Sequence, residues 1–252
     1  MIKKLILVFS LCPLTFFGWG KEGHQIVAKI AKSQLNDAVK DKVTKYLNGM
    51  SFEDASTWMD DIKKDKSLDY MKPWHYVNVE KGGTYKTNDT IGDINRELKL
   101  TIEKIKNYQS LSDLEINKEL KILFHLCGDI VQPLHVGYGN DKGGNEIKVD
   151  YKGKQSNLHR VWDSEMIQSE AITYDKCMLV LQSYSDKQKS KLLTFTVDSW
   201  MNDSRQLLPK VYKFKDAIIT DKYVAKNAPL VESQLIVGGM RLAHLLNEIF
   251  KN

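Results

Sequence analysis

Apolar positions recur at three- and four-residue intervals along almost the whole chain, a spacing that predicts helices. Ile26, Val27, Ile30 and Ala31 form one stripe; Val39, Val43, Tyr46 and Leu47 form a second behind the cap-like pair Asn36-Asp37. Ser51 with Asp54 resembles a capping box ahead of a helix carrying Ala55, Trp58, Met59 and Ile62. Ile94, Leu98, Ile102 and Ile105 predict a helix begun by Asp93; Leu120, Leu123, Cys127 and Ile130 predict one that ends near Pro133. Further stripes lie around 158–168, 175–183, 187–208 and 231–250. Two stretches break the pattern. Residues 78–92, with Gly82-Gly83 and Asn88-Asp89, predict a loop, and residues 137–157, with Gly143-Gly144 and alternating Ile147, Val149 and Tyr151, predict a short hairpin. There is no internal repeat or Pro/Ser-rich linker. The expectation is an all-α class: one mostly helical domain with a short β-hairpin.

The first residues follow a different rule. Met1-Ile2-Lys3-Lys4 is a short basic start, and Leu5 to Phe17 is an uncharged apolar run too short to span a membrane as a helix. This is the layout of a secretory signal peptide, with small Gly18 before the cut; a lipoprotein reading through Cys12 fits less well beside bulky Leu11. The predicted division is a leader at 1–18 and a functional domain at 19–252, exported to the periplasm or secreted. The chain of 252 residues carries 37 Lys and Arg against 32 Asp and Glu. Lys3 and Lys4 leave with the leader, so the mature balance is only slightly basic, which neither requires nor excludes a polyanionic partner. There is no basic stripe with interleaved aromatics, which weighs against a metal-free nucleic-acid-binding module. Of the cysteines that remain, Cys127 lies on an apolar helical stripe, so structural thiols are expected at Cys127 and Cys177 rather than a disulfide. A lysine-rich exported chain without a disulfide framework points to a bacterial source, and the default oligomeric state is a monomer.

Five of the six histidines fall into patterns with aspartate. His125 and Asp129 are four apart, as are His159 and Asp163, a spacing that puts both side chains of each pair on one helical face. His135 follows just past a helix end, after Gln132-Pro133, and Asp60 sits in sequence between His24 and His75. A lone histidine on an apolar helix is more often a hydrogen-bonded core residue, and a lone His-x-x-x-Asp pair is usually a surface contact. Two such pairs flanked by apolar residues are different, because burying a carboxylate beside an imidazole without a cation costs several kcal/mol. Imidazole and carboxylate without thiolate suit zinc better than manganese or iron. His244, in the last helix, has no place in these patterns.

In sequence order, Trp19, Gly23-His24, Trp58-Met59-Asp60, His75-Tyr76, His125-x3-Asp129-x-x-Gln132-Pro133-Leu134-His135, Gly143-Gly144-Asn145, Asn157-Leu158-His159-x-x-Trp162-Asp163 and Gly238-Gly239-x-Arg241-Leu242-Ala243 resemble the S1/P1 nuclease family. The resemblance spans nearly all of 19–252 and implies the fold shared by P1 nuclease and phospholipase C, with three Zn²⁺ in a cleft. It places one zinc on Asp60, His75, His125 and a bridging Asp129. A close neighbour shares Asp129 and adds His24 with the α-amino group and carbonyl oxygen of Trp19; the third takes His135, His159 and Asp163. Three divalent ions against three aspartates leave a net positive cluster that favours phosphodiester oxygens, with a metal-bridging hydroxide as nucleophile and Asp129 orienting it.

By the same resemblance Lys63 stands near the scissile phosphate, Tyr76 stacks on a base, and Asn145 pairs with a base edge. Asn78 replaces an aspartate of the best-known fungal members; its amide offers both donor and acceptor and so implies a changed base preference. The implied substrates are single-stranded DNA and RNA, giving 5′-phosphorylated products, and 3′-nucleotides. Two alternatives compete. Bacterial zinc phospholipases C share the metal constellation but generally include a glutamate in it, and a non-catalytic module could keep zinc for stability alone. If the amine of Trp19 is a ligand, leaving an extra residue ahead of it converts that amine to an amide and lowers zinc content by about one ion per chain; elemental analysis that still counts three ions excludes it.

Overall fold

The computed structural model describes residues 19–193 and 196–251, so the predicted leader at 1–18 lies outside the described residues. Twelve α-helical segments follow one another: α1 Lys21–Ser33, α2 Asp37–Leu47, α3 Phe52–Asp61, α4 Ile94–Lys106, α5 Asp113–Asp129, α6 Leu158–Arg160, α7 Met166–Ser169, α8 Tyr174–Gln182, α9 Asp186–Leu192, α10 Val197–Arg205, α11 Leu208–Val211 and α12 Asp221–Phe250. The mostly helical expectation holds. The stripe at 187–208 is divided among α9, α10 and α11, and α12 begins ten residues before its predicted stripe, running through Pro229. Pro229 is exposed, so the one hydrogen bond its ring removes faces water and does not stop the helix.

Helix α5 is the axis of the molecule. Its first turns are amphipathic behind a full capping box, in which Ser112 and Glu115 satisfy each other's backbone N–H. From Ile122 to Asp129 every residue is buried, as in a helix surrounded on all sides. Helices α3, α4 and α12 pack against α5, while α1 packs against α3 and α12. The Ser51 cap of α3 is only half a box: the Ser51 hydroxyl accepts from Asp54 N at 2.9 Å and donates to the Asp54 carboxylate instead of receiving its reciprocal bond. Asp93 caps α4 as expected, accepting from Arg96 N at 3.0 Å. Among the described residues no helix is long and apolar enough to cross a membrane, and Cys127 and Cys177 are both free and buried.

The predicted hairpin forms as β1 Lys148–Tyr151 and β2 Lys154–Asn157, paired antiparallel with Tyr151 opposite Lys154 and Lys148 opposite Asn157. A third strand, β3 Ile218–Ile219, adds in parallel to β1 and carries no pattern of its own in the sequence. The hairpin's purpose is positional: its last residue, Asn157, caps α6 by accepting from Arg160 N at 2.8 Å, so the strand delivers His159 directly into a helical turn.

Close approach of α12 to α1 needs glycine. A Cβ on Gly239 would lie 2.5 Å from Ile30 Cγ2 and 3.0 Å from the Val27 carbonyl oxygen. Gly239→Ala is therefore expected to cost about 1–3 kcal/mol through overpacking, measurable as a lowered denaturant midpoint at unchanged slope; an unchanged midpoint would mean that the helices separate freely.

Candidate metal centre

Four stretches of chain converge on Asp129, at the last turn of α5. His24 comes from the first turn of α1, His125 from one turn back on α5, His75 from the end of the 3₁₀ segment Lys66–His75, and His135 from the 3₁₀ turn Pro133–Val136. His75 Nδ1 and His125 Nε2 each lie 3.1 Å from Asp129 Oδ2. His24 Nε2 and His135 Nδ1 lie 3.2 and 3.4 Å from Asp129 Oδ1. Asp60, at the end of α3, stands 3.8 Å from His125 Nε2 and 3.9 Å from His75 Nδ1. A second cluster adjoins the first. His159 Nε2 is 3.1 Å from Asp163 Oδ2, and His135 Nε2 is 3.6 Å from Asp163 Oδ1. All five imidazoles are buried, as are Asp129 and Asp163.

Backbone carbonyls orient three of the rings. Nδ1–H of His125 donates to Ser56 O, that of His135 to His75 O, and that of His159 to Gly143 O, each at 2.7 Å. This leaves Nε2 pointing inward on each ring, the usual way that the partner of one ring nitrogen selects the other as ligand. Gly143 can present its carbonyl because it sits at φ 60° after Lys142 at φ 52°, where a side chain would overlap the Leu134 carbonyl. Asp141 fastens the same loop by accepting from Gly144 N at 2.8 Å and from Tyr212 Oη at 3.0 Å. Asp163 sits in a single π turn, Val161–Glu165, within the helical run from α6 to α7. Such turns re-aim side chains and recur at functional sites.

The electrostatics call for a cation. Burial opposes ionisation of Asp129, yet the imidazoles around it, His125 and His135 foremost, hold its pKa well below the usual carboxylate range. Asp163 is lowered against burial in the same way by His159 and His135. Burial drives His75 down to about 4, whereas Asp129 and Asp163 outweigh burial at His135 and lift it to about 9. His125 Nε2 faces His75 Nδ1 at 2.9 Å, and His24 stacks on His125 with ring centres 4.0 Å apart. Despite these short separations, His24 Nδ1, His24 Nε2 and Asp129 Oδ1 are buried with no aligned hydrogen-bond partner. Of the two His24 nitrogens one carries a proton and the other a lone pair, and that lone pair and the ionised carboxylate oxygen are stable in a buried site only if a positive ion takes them. The donor set of nitrogen and carboxylate oxygen fits zinc.

Among the described residues three groups of side chains could hold a metal ion: His24, Asp60 and His125; His75, His125 and Asp129; and His135, His159 and Asp163. The last coincides with the third set expected from sequence. The first two divide the remaining residues differently, putting Asp60 with His24. Trp19 is fully buried and packs beside Gly23, while Gly20 N donates to Asp163 O at 2.9 Å, so the start of the described chain is fastened beside the third group.

The residues expected to touch substrate lie at Lys63, Tyr76, Asn78 and Asn145. Lys63 Nζ pairs with Asp60 Oδ1 at 2.5 Å. Asn78 is exposed between Val77 and Val79, whose N–H groups donate to His135 O and Gly137 O at 2.8 and 3.0 Å. That pairing puts Asn78 against Gly143, next to half-buried Asn145, whose amide donates to Lys142 O at 2.9 Å. Tyr76, half-buried, follows His75. His244 is half-buried in α12 and belongs to neither cluster. Sequence reasoning gave no role to Gln132 and Arg205. Gln132 donates to Asp163 Oδ1 and accepts from Leu134 N, which ties the two clusters together. Arg205 donates to the carbonyls of Val79, Val136 and Gly137 and so clamps the Asn78 segment to the His135 turn. Gln132 lay inside the quoted Gln-Pro-Leu-His segment; Arg205 had no local signal.

Gly128 fixes how close α1 comes to α5, since a Cβ there would lie 2.7 Å from His24 Nδ1. Gly128→Ala is expected to displace the His24 ring and lower bound metal by about one ion per chain, with metal affinity down about 10–100-fold, the usual cost of disturbing a ligand's support. Full metal content in a folded Gly128→Ala variant would remove His24 from the centre.

Comparison with known proteins agrees with this geometry. Residues 19–251 match the family model described as S1/P1 Nuclease. Endonuclease 2 of Arabidopsis thaliana is 31% identical, with 99% of this chain and 97% of the relative covered. Nuclease S1 of Aspergillus oryzae is 30% identical over 76% of this chain and 69% of its own length, and Nuclease P1 of Penicillium citrinum is 26% identical over 92% and 97%. With its histidine–aspartate clusters in place, the chain belongs to the S1/P1 nuclease family and is an enzyme of that type.

Proposed function

We propose that this nuclease is a zinc-dependent phosphodiesterase that hydrolyses single-stranded DNA and RNA to 5′-phosphorylated products and removes phosphate from 3′-nucleotides. The observation that carries the reading is one buried, ionised carboxylate, Asp129, approached within 3.4 Å by four imidazoles, with the His135–His159–Asp163 cluster alongside. Asp60, His75, His125, Asp129, His24, Trp19, His135, His159 and Asp163 are the residues that would hold three zinc ions. Zinc bound there supplies positive charge to phosphoryl oxygens and acidifies water to a pKa near ~7.

The chain's own groups do the rest. The carbonyl-anchored rings of His125, His135 and His159 keep Nε2 inward without reorganising during the reaction. Lys63 brings an ammonium group to the mouth beside Asp60, where an arriving phosphate oxygen meets it. Tyr76 offers a ring face to a base, and the Asn78 and Asn145 amides on either side of Gly143 offer donors and acceptors to its edge. Residues 19–252 act as the catalytic domain after export, with the leader at 1–18 removed.

The test is hydrolysis of single-stranded DNA, RNA and phosphatidylcholine by protein beginning at Trp19, with zinc counted on the same sample. Nucleic-acid cleavage, lost on chelation and restored by zinc, is the expected result; lipid hydrolysis alone would assign the chain to the phospholipase branch instead. In Asp129→Asn, kcat should fall at least about a hundredfold together with zinc content, as expected for a group serving several ligands at once. Turnover like wild type at unchanged zinc would sink the assignment of Asp129.

A further inference from the structure

Some lysines elsewhere on this surface have carboxylate partners: Lys72 with Asp69, Lys99 with Asp198, Lys106 with Glu103, Lys142 with Glu146 and Lys152 with Glu170. Five lysines without such a partner are gathered in one place. Lys210, Lys213, Lys215, Lys222 and Lys226 surround a cavity of about 350 Å³ between α11 and the start of α12. All five are exposed, and none forms an ion pair among the described residues. Asp216 is the single carboxylate in the lining. Five ammonium groups around one concavity repel one another, and an anionic ligand relieves that repulsion.

Neutral side chains fill the wall between the lysines. Asn227, 2% exposed, forms part of the wall. Its amide nitrogen donates to Tyr223 O at 2.8 Å, which settles the amide's orientation and leaves Oδ1 a buried acceptor with no partner. Phe214 and Tyr223 add aromatic surface to the same wall. The turn carrying Asp216 and Ala217, at φ 54° each, holds Lys215 beside β3 and so beside the hairpin.

The cavity is built from the supports of the metal centre. Tyr223 Oη accepts from Nε1 of Trp162, the neighbour of Asp163, at 2.8 Å. Tyr212, between Lys210 and Lys213, holds Asp141 and with it the Gly143–Asn145 loop. We infer that this lysine-lined cavity is a second anion site, which holds backbone phosphates of the nucleic-acid strand away from the bond being cut. The inference rests on the nuclease reading for its choice of polyanion. The lysines act as phosphate contacts that carry no sequence information.

The experiment uses the zinc-loaded protein and three forms: wild type, Lys213→Ala/Lys222→Ala, and Lys187→Ala/Lys191→Ala, which removes the same charge from exposed α9. Binding of a phosphorothioate single strand of about thirty nucleotides is read by fluorescence anisotropy across a salt series. Turnover is read on long single strands and on a dinucleotide. The cavity variant should bind the strand about tenfold more weakly, with a log–log salt slope shallower by about one. Its KM on long strands should rise by a similar factor, with kcat and dinucleotide turnover unchanged, while the α9 variant behaves as wild type. Strand binding equal to wild type, an equal loss in both variants, or an equal loss on the dinucleotide would each overturn the cavity's role. Strand binding that depends on these lysines, in a protein that cuts no nucleic acid, would retain the site and refute the nuclease reading.

Discussion

The structure depends on keeping Asp129 ionised at the buried end of a helix. An isolated carboxylate in that position would take up a proton or pull water in, because removing its charge from solvent costs several kcal/mol. Here imidazoles from four stretches of chain gather around that charge as a donor set for a cation, and the two carboxylate oxygens divide them, His75 and His125 on one and His24 and His135 on the other. The end of α5 is therefore a junction, and the path of the chain from α1 to the Pro133 turn is constrained by the need to reach it.

Packing makes the junction attainable. Gly128 lets α1 lie against α5 so that His24 reaches Asp129, and Gly239 lets α12 lie against α1 at Val27 and Ile30. Both are glycines in ordinary helical conformation, needed for space and not for dihedral freedom. Gly143 is the reverse case: its left-handed conformation turns a carbonyl toward His159, and Asp141 holds it there. Polar groups with no catalytic chemistry of their own, such as Gln132 and Arg205, fasten the separate turns so that the Asn78 segment and the clusters share one frame.

Helical periodicity was legible in the sequence because it is local, and so were the two His-x-x-x-Asp pairs. The hairpin was legible from alternation and paired glycines. Long-range features were not. The splitting of 187–208 into three helices, the parallel addition of β3 and the clamp by Arg205 arise from partners tens of residues away, which no short window contains. The lysines from Lys210 to Lys226 look in sequence like scattered surface charge. Only the fold, by turning the chain between α11 and α12, gathers them around one cavity. The grouping of Asp60 with His24 is likewise a matter of three-dimensional distance, to which order along the chain gives no guide.

Main-chain carbonyls, from Ser56, His75 and Gly143, anchor the outer nitrogens of three imidazoles. A carbonyl is present whatever amino acid occupies its position, so the residues around these rings can drift while the rings keep their aim. What evolution must preserve is the course of the backbone and the few glycines that shape it. Relatives that share only 26–31% of their residues with this chain can thus inherit the same inner geometry, and the centre is heritable as a shape more than as a neighbourhood of side chains.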